Sequence, residues 1–127
     1  MGEITFELTN NSAKIFQDNS LLSYTSFKKE EEGSRFFKHD NLSETTGLAL
    51  MAFGSNIQGK GYGTELLNRI IQHFQNINEV EYLTLGVFKD NPGAIHLYEK
   101  VGFKKFFENE NSFYMIYPLS AELKKKF

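Results

Sequence analysis

Apolar residues change their spacing near residue 47, and the change divides the chain into two stretches. In the first, Ile4, Phe6 and Leu8 alternate with polar neighbours as on a strand with one buried face, and Asn10-Asn11 follows as a turn. Ala13 to Gln17, Leu21 to Phe27 and Arg35 to Lys38 read as further short strands, with Glu30-Glu31-Glu32-Gly33 turning between the last two. Leu21, Leu22, Tyr24 and Phe27 do not settle the period, so a helix within residues 13–32 stays open as the alternative. In the second stretch the periods are distinct. Leu48 to Phe53 is an apolar run of strand length, and Leu66, Leu67, Ile70, Ile71 and Phe74 then recur on one helical stripe over residues 64–74. That stripe leaves Glu65, Asn68, Arg69 and Gln72 for solvent and predicts a helix packed on a sheet. Glu81 to Val87 predicts the next strand. Asn91 caps a second helix with Pro92 at its first position, Ala94, Ile95, Tyr98 and Val101 along one face, and Gly102 past its end. Phe103 to Phe107 and Phe113 to Tyr117 predict two closing strands about the polar turn Glu108-Asn109-Glu110-Asn111. From residue 47 the order is strand, helix, strand, helix, strand, strand, which is an α/β pattern.

A length of 127 residues fits one domain spanning 1–127 with a single core. Hydrophobic residues make up 40% and charged residues 24%, a globular profile with no run long enough to span a membrane. The formal net charge of −2 gives no general attraction to nucleic acid. With no cysteine, disulfides, a thiol nucleophile and thiolate metal sites are excluded together. The start, Met1 to Phe6, does not read as a secretory signal, and a cytoplasmic location follows as the default expectation. His39, His73 and His96 show no paired ligand spacing, so no metal is expected. Lys124-Lys125-Lys126 reads as a solvated, frayed end. Most of the thirteen Phe are expected in the core.

Chemistry concentrates in Gln58-Gly59-Lys60-Gly61-Tyr62-Gly63-Thr64, which joins the 48–53 strand to the first helix. A strand that runs through spaced glycines into a helix leaves the first helical N–H groups unpaired, with no bulky side chain to block an anion. The run is a candidate phosphate cradle. Gly54 to Gly61 also nearly matches the P-loop pattern, but Gly61 stands where a hydroxyl must meet magnesium, and no apolar strand ending in aspartate follows.

Thirty residues on comes Asn91-Pro92-Gly93-Ala94-Ile95-His96-Leu97-Tyr98-Glu99-Lys100-Val101-Gly102-Phe103. The two segments together resemble the GCN5-related N-acetyltransferases. The cradle motif of that family, Gln or Arg, two residues, Gly, one residue, Gly or Ala, is matched by Gln58, Gly61 and Gly63. Its second signature is matched by Asn91, Ala94, Leu97, Tyr98, Gly102 and Phe103. The resemblance covers roughly residues 47–117, with nothing contributed by the N-terminal third. It implies a mixed, mostly antiparallel central sheet and acetyl transfer from acetyl-coenzyme A to a primary amine, either a small molecule or a protein N-terminus.

The same resemblance implies roles. Backbone N–H groups from Gly59 to Thr64, with Lys60 adding charge, would hold the pyrophosphate at the positive end of the helix. Met51 and Phe53 would pair with the pantetheine arm, and an N–H near Met51 would steady the thioester oxygen. Tyr98 would protonate the departing thiolate, and Asn91 would both cap its helix and touch the coenzyme. The family's usual base position, in Gly47-Leu48-Ala49-Leu50, holds no carboxylate; Glu44 is the nearest candidate. A non-catalytic module that binds acetyl-coenzyme A is the alternative reading. The segment before the cradle is short for the family, which implies an open acceptor site or one completed by a second copy in a homodimer.

Overall fold

The computed structural model describes residues 2–30, 46–56 and 59–127. Their elements are β1 (Thr5–Leu8), β2 (Ser12–Gln17), β3 (Ser20–Glu30), β4 (Gly47–Ser55), α1 (Tyr62–Ile77), β5 (Tyr82–Phe88), α2 (Pro92–Val101), β6 (Lys104–Glu108), β7 (Ser112–Pro118) and α3 (Ala121–Lys126). The strands form one sheet in the order β1-β2-β3-β4-β5-β7-β6, parallel only between β4 and β5. A parallel pair needs a crossover, and α1 supplies it.

Side chains alternate across β5. Leu83, Leu85 and Val87 join Leu66, Leu67, Ile70 and Phe74 of α1 in the main core, whereas Tyr82 joins Ile116 and Leu123 on the other side. Leu66, Leu67 and Ile70 have no exposed surface, and burying each such side chain contributes about 1.5–3 kcal/mol. The predicted helical stripe is therefore the inner face of α1. This helix is longer than its sequence signal on both sides, because Tyr62 and Gly63 already take helical geometry and the last turn runs on to Ile77.

The ambiguous N-terminal stretch resolves as strands through Glu30, and the helical alternative has no place among the described residues there. Ser20–Glu30 pairs with β2 on one side and β4 on the other, so sheet partners decide what the local period could not. The predicted strand Arg35 to Lys38 and the turn residues 31–33 lie outside the described residues. The C-terminal lysines correct an expectation: they belong to α3, not to a frayed end. Ser120 accepts a hydrogen bond from the Leu123 N–H at 3.2 Å, Leu123 is buried, and Lys124 donates to Gln75 Oε1 at 3.1 Å. The aromatic expectation is met: Phe74 and Phe103 are buried, and Phe6, Phe27, Phe53, Phe106, Phe113 and Phe127 pack half-buried against the cores, whereas Phe88 is 66% exposed.

Two irregularities in β4 position the site. Its pairing with β5 runs from Gly47 opposite Tyr82 to Leu50 opposite Leu85 and stops there. Beyond Leu50 its pairing continues with β3, while β5 follows β7, so the parallel strands part. At the same level β4 bulges. Ser26 pairs with Met51 and Tyr24 with Gly54, so Ala52 and Phe53 together face Thr25, and Ala52 takes a left-handed φ of 51°.

Candidate active site

Between β4 and α1 the chain turns through Gly59 and Gly61, both at φ 76°. That conformation costs an L side chain roughly 1–2 kcal/mol and glycine nothing, so the glycines make the turn. A Cβ at either position would meet nothing within 4 Å, so the space in front of α1 is open. Gly63 serves another purpose. A Cβ there would lie 3.2 Å from Phe53 Cζ and 3.4 Å from Leu97 Cδ1, so its missing side chain lets α1 approach β4 and α2 closely.

Gly61 caps α1 without a side-chain hydrogen bond, and the Glu65 N–H is the first to reach back, to the Gly61 carbonyl at 3.0 Å. The N–H groups of Tyr62, Gly63 and Thr64 therefore precede the intrahelical ladder at the helix's positive end. Glu65 is an acid in that first turn, where a carboxylate would oppose an anion. Arg69 binds its Oε1 at 3.2 Å, one turn along, and offsets that charge locally.

The glycine turn forms one wall of a cleft of about 620 Å³. Gly59, Gly61, Tyr62 and Gly63 face Phe53, Gly54 and Ser55 of β4, and Asn91, Gly93, Ala94, Leu97 and Tyr98 close it from α2. At the start of α2, the Asn91 side chain accepts from the Ala94 N–H at 3.2 Å, and Pro92 fills the first helical position. Tyr98 sits two turns along, 7% exposed, with its ring edge-on to Phe53 at 5.7 Å and to Phe103 at 6.2 Å. Burial penalises the phenolate and raises the Tyr98 pKa above its ordinary value of 10.0, so the phenol keeps its proton at neutral pH.

Of the residues singled out from sequence, Phe53, Gly59, Gly61, Tyr62, Gly63, Asn91 and Tyr98 meet around this cleft. Lys60 is exposed beside it, Thr64 is half-buried on α1, and neither is among the described lining residues. Met51 is 48% exposed, and its carbonyl turns toward β3, where it accepts from Thr25 Oγ1 at 2.8 Å. Gln58, Glu44 and His39 lie outside the described residues, while His73 and His96 stand on different helices. Sequence reasoning passed over Ser23 and Thr25, buried hydroxyls that donate to the Gly54 and Met51 carbonyls at 2.8 Å each. Their only signal was the hydroxyl run Ser23, Thr25, Ser26 within the otherwise apolar stretch Leu21 to Phe27. No helix among the described residues is long and apolar enough to cross a membrane.

Comparison with known proteins agrees with this arrangement. The chain is 31% identical to the spermine/spermidine N(1)-acetyltransferase of Bacillus subtilis (strain 168) over 68 residues, 54% of this chain and 45% of that protein. It is 41% identical to the spermidine N(1)-acetyltransferase of Vibrio cholerae over 46 residues, 36% of this chain and 27% of that protein. The matches thus span less than half the length of either relative. Among solved structures, Arabidopsis thaliana NAA60 in complex with acetyl-CoA superposes with a TM-score of 0.69 at 16% identity, covering 84% of this chain and 75% of that one. The ribosomal-protein-S18-alanine N-acetyltransferase of Escherichia coli gives 0.66 at 19% identity, covering 89% and 72%. The model of the acetyltransferase (GNAT) family matches residues 8–103, and so takes in β2 and β3, which the sequence motifs had left out of the resemblance. Because that match runs from Leu8 through every strand and helix that builds the cleft, the chain belongs to the GNAT acetyltransferase family.

Proposed function

We propose that the protein transfers acetyl from acetyl-CoA to a primary amine by direct attack. The observation that carries this reading is the meeting of two distant motifs at one cleft: glycine-fronted N–H groups of α1 on one wall, and the protonated Tyr98 of α2 beside Phe53 of β4 on another. The N–H groups from Gly59 to Thr64 suit the pyrophosphate, and the β4 backbone from Met51 to Ser55, left by β5, suits the pantetheine amides. The amine nitrogen attacks the thioester carbonyl carbon, forming the C–N bond. A backbone N–H of the β4 bulge holds the oxygen as it gains charge. The C–S bond then breaks, Tyr98 gives its proton to the thiolate, and the amine's surplus proton passes to water or to a base such as Glu44. By their names, one matched relative acetylates spermine and spermidine, and one structural neighbour acetylates an alanine of ribosomal protein S18. Polyamines and peptide N-termini are therefore the first acceptors to offer.

A second reading, a module that binds acetyl-CoA without turnover, draws on the described cleft lining, which has no carboxylate or histidine. One experiment separates the two. Release of coenzyme A thiol is followed with acetyl-CoA and a panel of polyamines, amino-sugars and peptides. Acetylated product with at least one amine is expected. Tight acetyl-CoA binding with thiol release no faster than in buffer, for every amine, would favour the binding module.

A further inference from the structure

Ala52 is an ordinary L residue at φ 51°, next in β4 to Phe53, which lines the cleft. A lone left-handed residue in a strand is unfavourable by about 1–2 kcal/mol and persists only where its surroundings hold it. What holds it comes from β3. Thr25, opposite the bulge, is 2% exposed, and its hydroxyl donates to the Met51 carbonyl at 2.8 Å. The other acceptor within its reach, the Ser26 carbonyl, is farther at 3.3 Å. Ser26 Oγ donates to the same Met51 carbonyl at 3.1 Å, and the buried Ser23 hydroxyl takes the Gly54 carbonyl at 2.8 Å. Both carbonyls flanking the bulge are thus claimed by side chains of one neighbouring strand.

The Met51 carbonyl and the Ala52 N–H belong to one peptide plane, and no peptide bond here is cis. In a trans plane the two groups point in opposite directions. Drawing the Met51 carbonyl to Thr25 therefore turns the Ala52 N–H away from β3, toward the side that β5 leaves after Leu85. Threonine suits this task because its branched Cβ restricts χ1 and fixes the hydroxyl's direction.

We propose that Thr25 is a positioning residue: by anchoring the Met51 carbonyl, it aims the Ala52 N–H at the thioester oxygen of the bound acyl donor. This rests on the acetyl-transfer reading above. It assigns the oxygen-stabilising donor to one peptide plane and that plane's orientation to a residue remote in sequence. Ser26 supports the same plane from the sheet surface.

Isotope-edited infrared spectroscopy of acetyl-CoA, labelled with ¹³C at the acetyl carbonyl, tests the assignment without a known acceptor. A hydrogen bond to the oxygen lowers the carbonyl stretch on binding. The wild type and Thr25→Ser should show the lowered band, whereas in Thr25→Val it should return toward its position in water-free solvent while acetyl-CoA affinity changes by less than about threefold. A merely structural Thr25 would move affinity or folding and leave the band of the bound fraction where it is. Should Thr25→Val not fold, Ser26→Ala carries the test and should shift the band part of the way; an unmoved band would overturn the proposal. Wild-type binding with an unmoved Thr25→Val band would overturn the Thr25 assignment alone. Absence of acetyl-CoA binding by the wild type would overturn the coenzyme reading and this proposal with it.

Discussion

The two helices that border the cleft begin in opposite ways. Asn91 folds its side chain onto the Ala94 N–H, and Pro92 has no N–H to satisfy, so α2 quenches much of its own N-terminal charge. The start of α1 has a left-handed glycine, no side-chain cap and open space where a Cβ would project. Both helices are amphipathic and both line the same cleft, so packing does not account for the contrast. A glycine cap forgoes only about a few tenths of a kcal/mol relative to a side-chain cap, and it leaves the first N–H groups without a side-chain partner, as an anion-binding end requires. In the function proposed above, one N-terminus serves stability and the other serves binding.

The largest expected effect breaks this contrast directly. Gly61→Glu places a carboxylate at the open N-terminus of α1 and a side chain at φ 76°, and acetyl-CoA affinity by calorimetry should fall by more than about a hundredfold. Equal affinity in the two proteins would remove the glycine turn from the binding site. Next comes Tyr98→Phe, which preserves the ring packing against Phe53 and Phe103 but removes the proton donor. Turnover with an identified amine should drop by about 10²–10⁴-fold with coenzyme affinity little changed. Unchanged turnover would leave α2 a wall of the cleft and no more.

Asn91→Ala sharpens the comparison from the other side. Loss of the cap should cost about 1 kcal/mol of stability in chemical denaturation, with a smaller loss of acetyl-CoA affinity than Gly61→Glu causes. The reverse ranking would mean that α2, not α1, presents the anion site. The smallest effect concerns pH. Burial raises the folded-state pKa of Tyr98 above 10.0, so in alkali the unfolded chain releases that proton first. This contribution to stability is constant below about pH 10 and is lost as pH rises through the folded value. In urea titrations from pH 9 to 11, Tyr98→Phe should lose stability less steeply than the wild type, and parallel curves would show that the phenol is not desolvated.

Legibility in the sequence followed how local each signal was. Asn91, Pro92 and Gly102 act within a few residues of themselves, and α2 starts and ends where they predict. Gly59, Gly61 and Gly63 looked alike in sequence, yet two are turn makers with empty space around them and the third is a packing contact with Phe53 and Leu97. The run from Leu21 to Phe27 carried no period that could choose strand over helix, because β3 is paired on both sides and buries residues from both its faces. Lys124 to Lys126 looked like a loose end because two of the partners that hold α3, Tyr82 and Gln75, lie far back along the chain.

Sequence by itself determined the elements from Leu48 to Tyr117, the capped α2, the glycine turn before α1 and the pairing of two motifs that belong to one family. Each rests on local backbone chemistry: where an N–H is missing, where a left-handed φ is free, where a side chain reaches its own helix. Only tertiary structure decided that β4 leaves β5 after Leu50, that it bulges at Ala52, and that Thr25 holds the bulge from the next strand. Ala52 carries no local sign of its left-handed conformation. Hydroxyls of β3, among them Thr25 at 26 residues from Met51, bond the carbonyls that flank it, and no pattern within a single strand records a bond made by its neighbour.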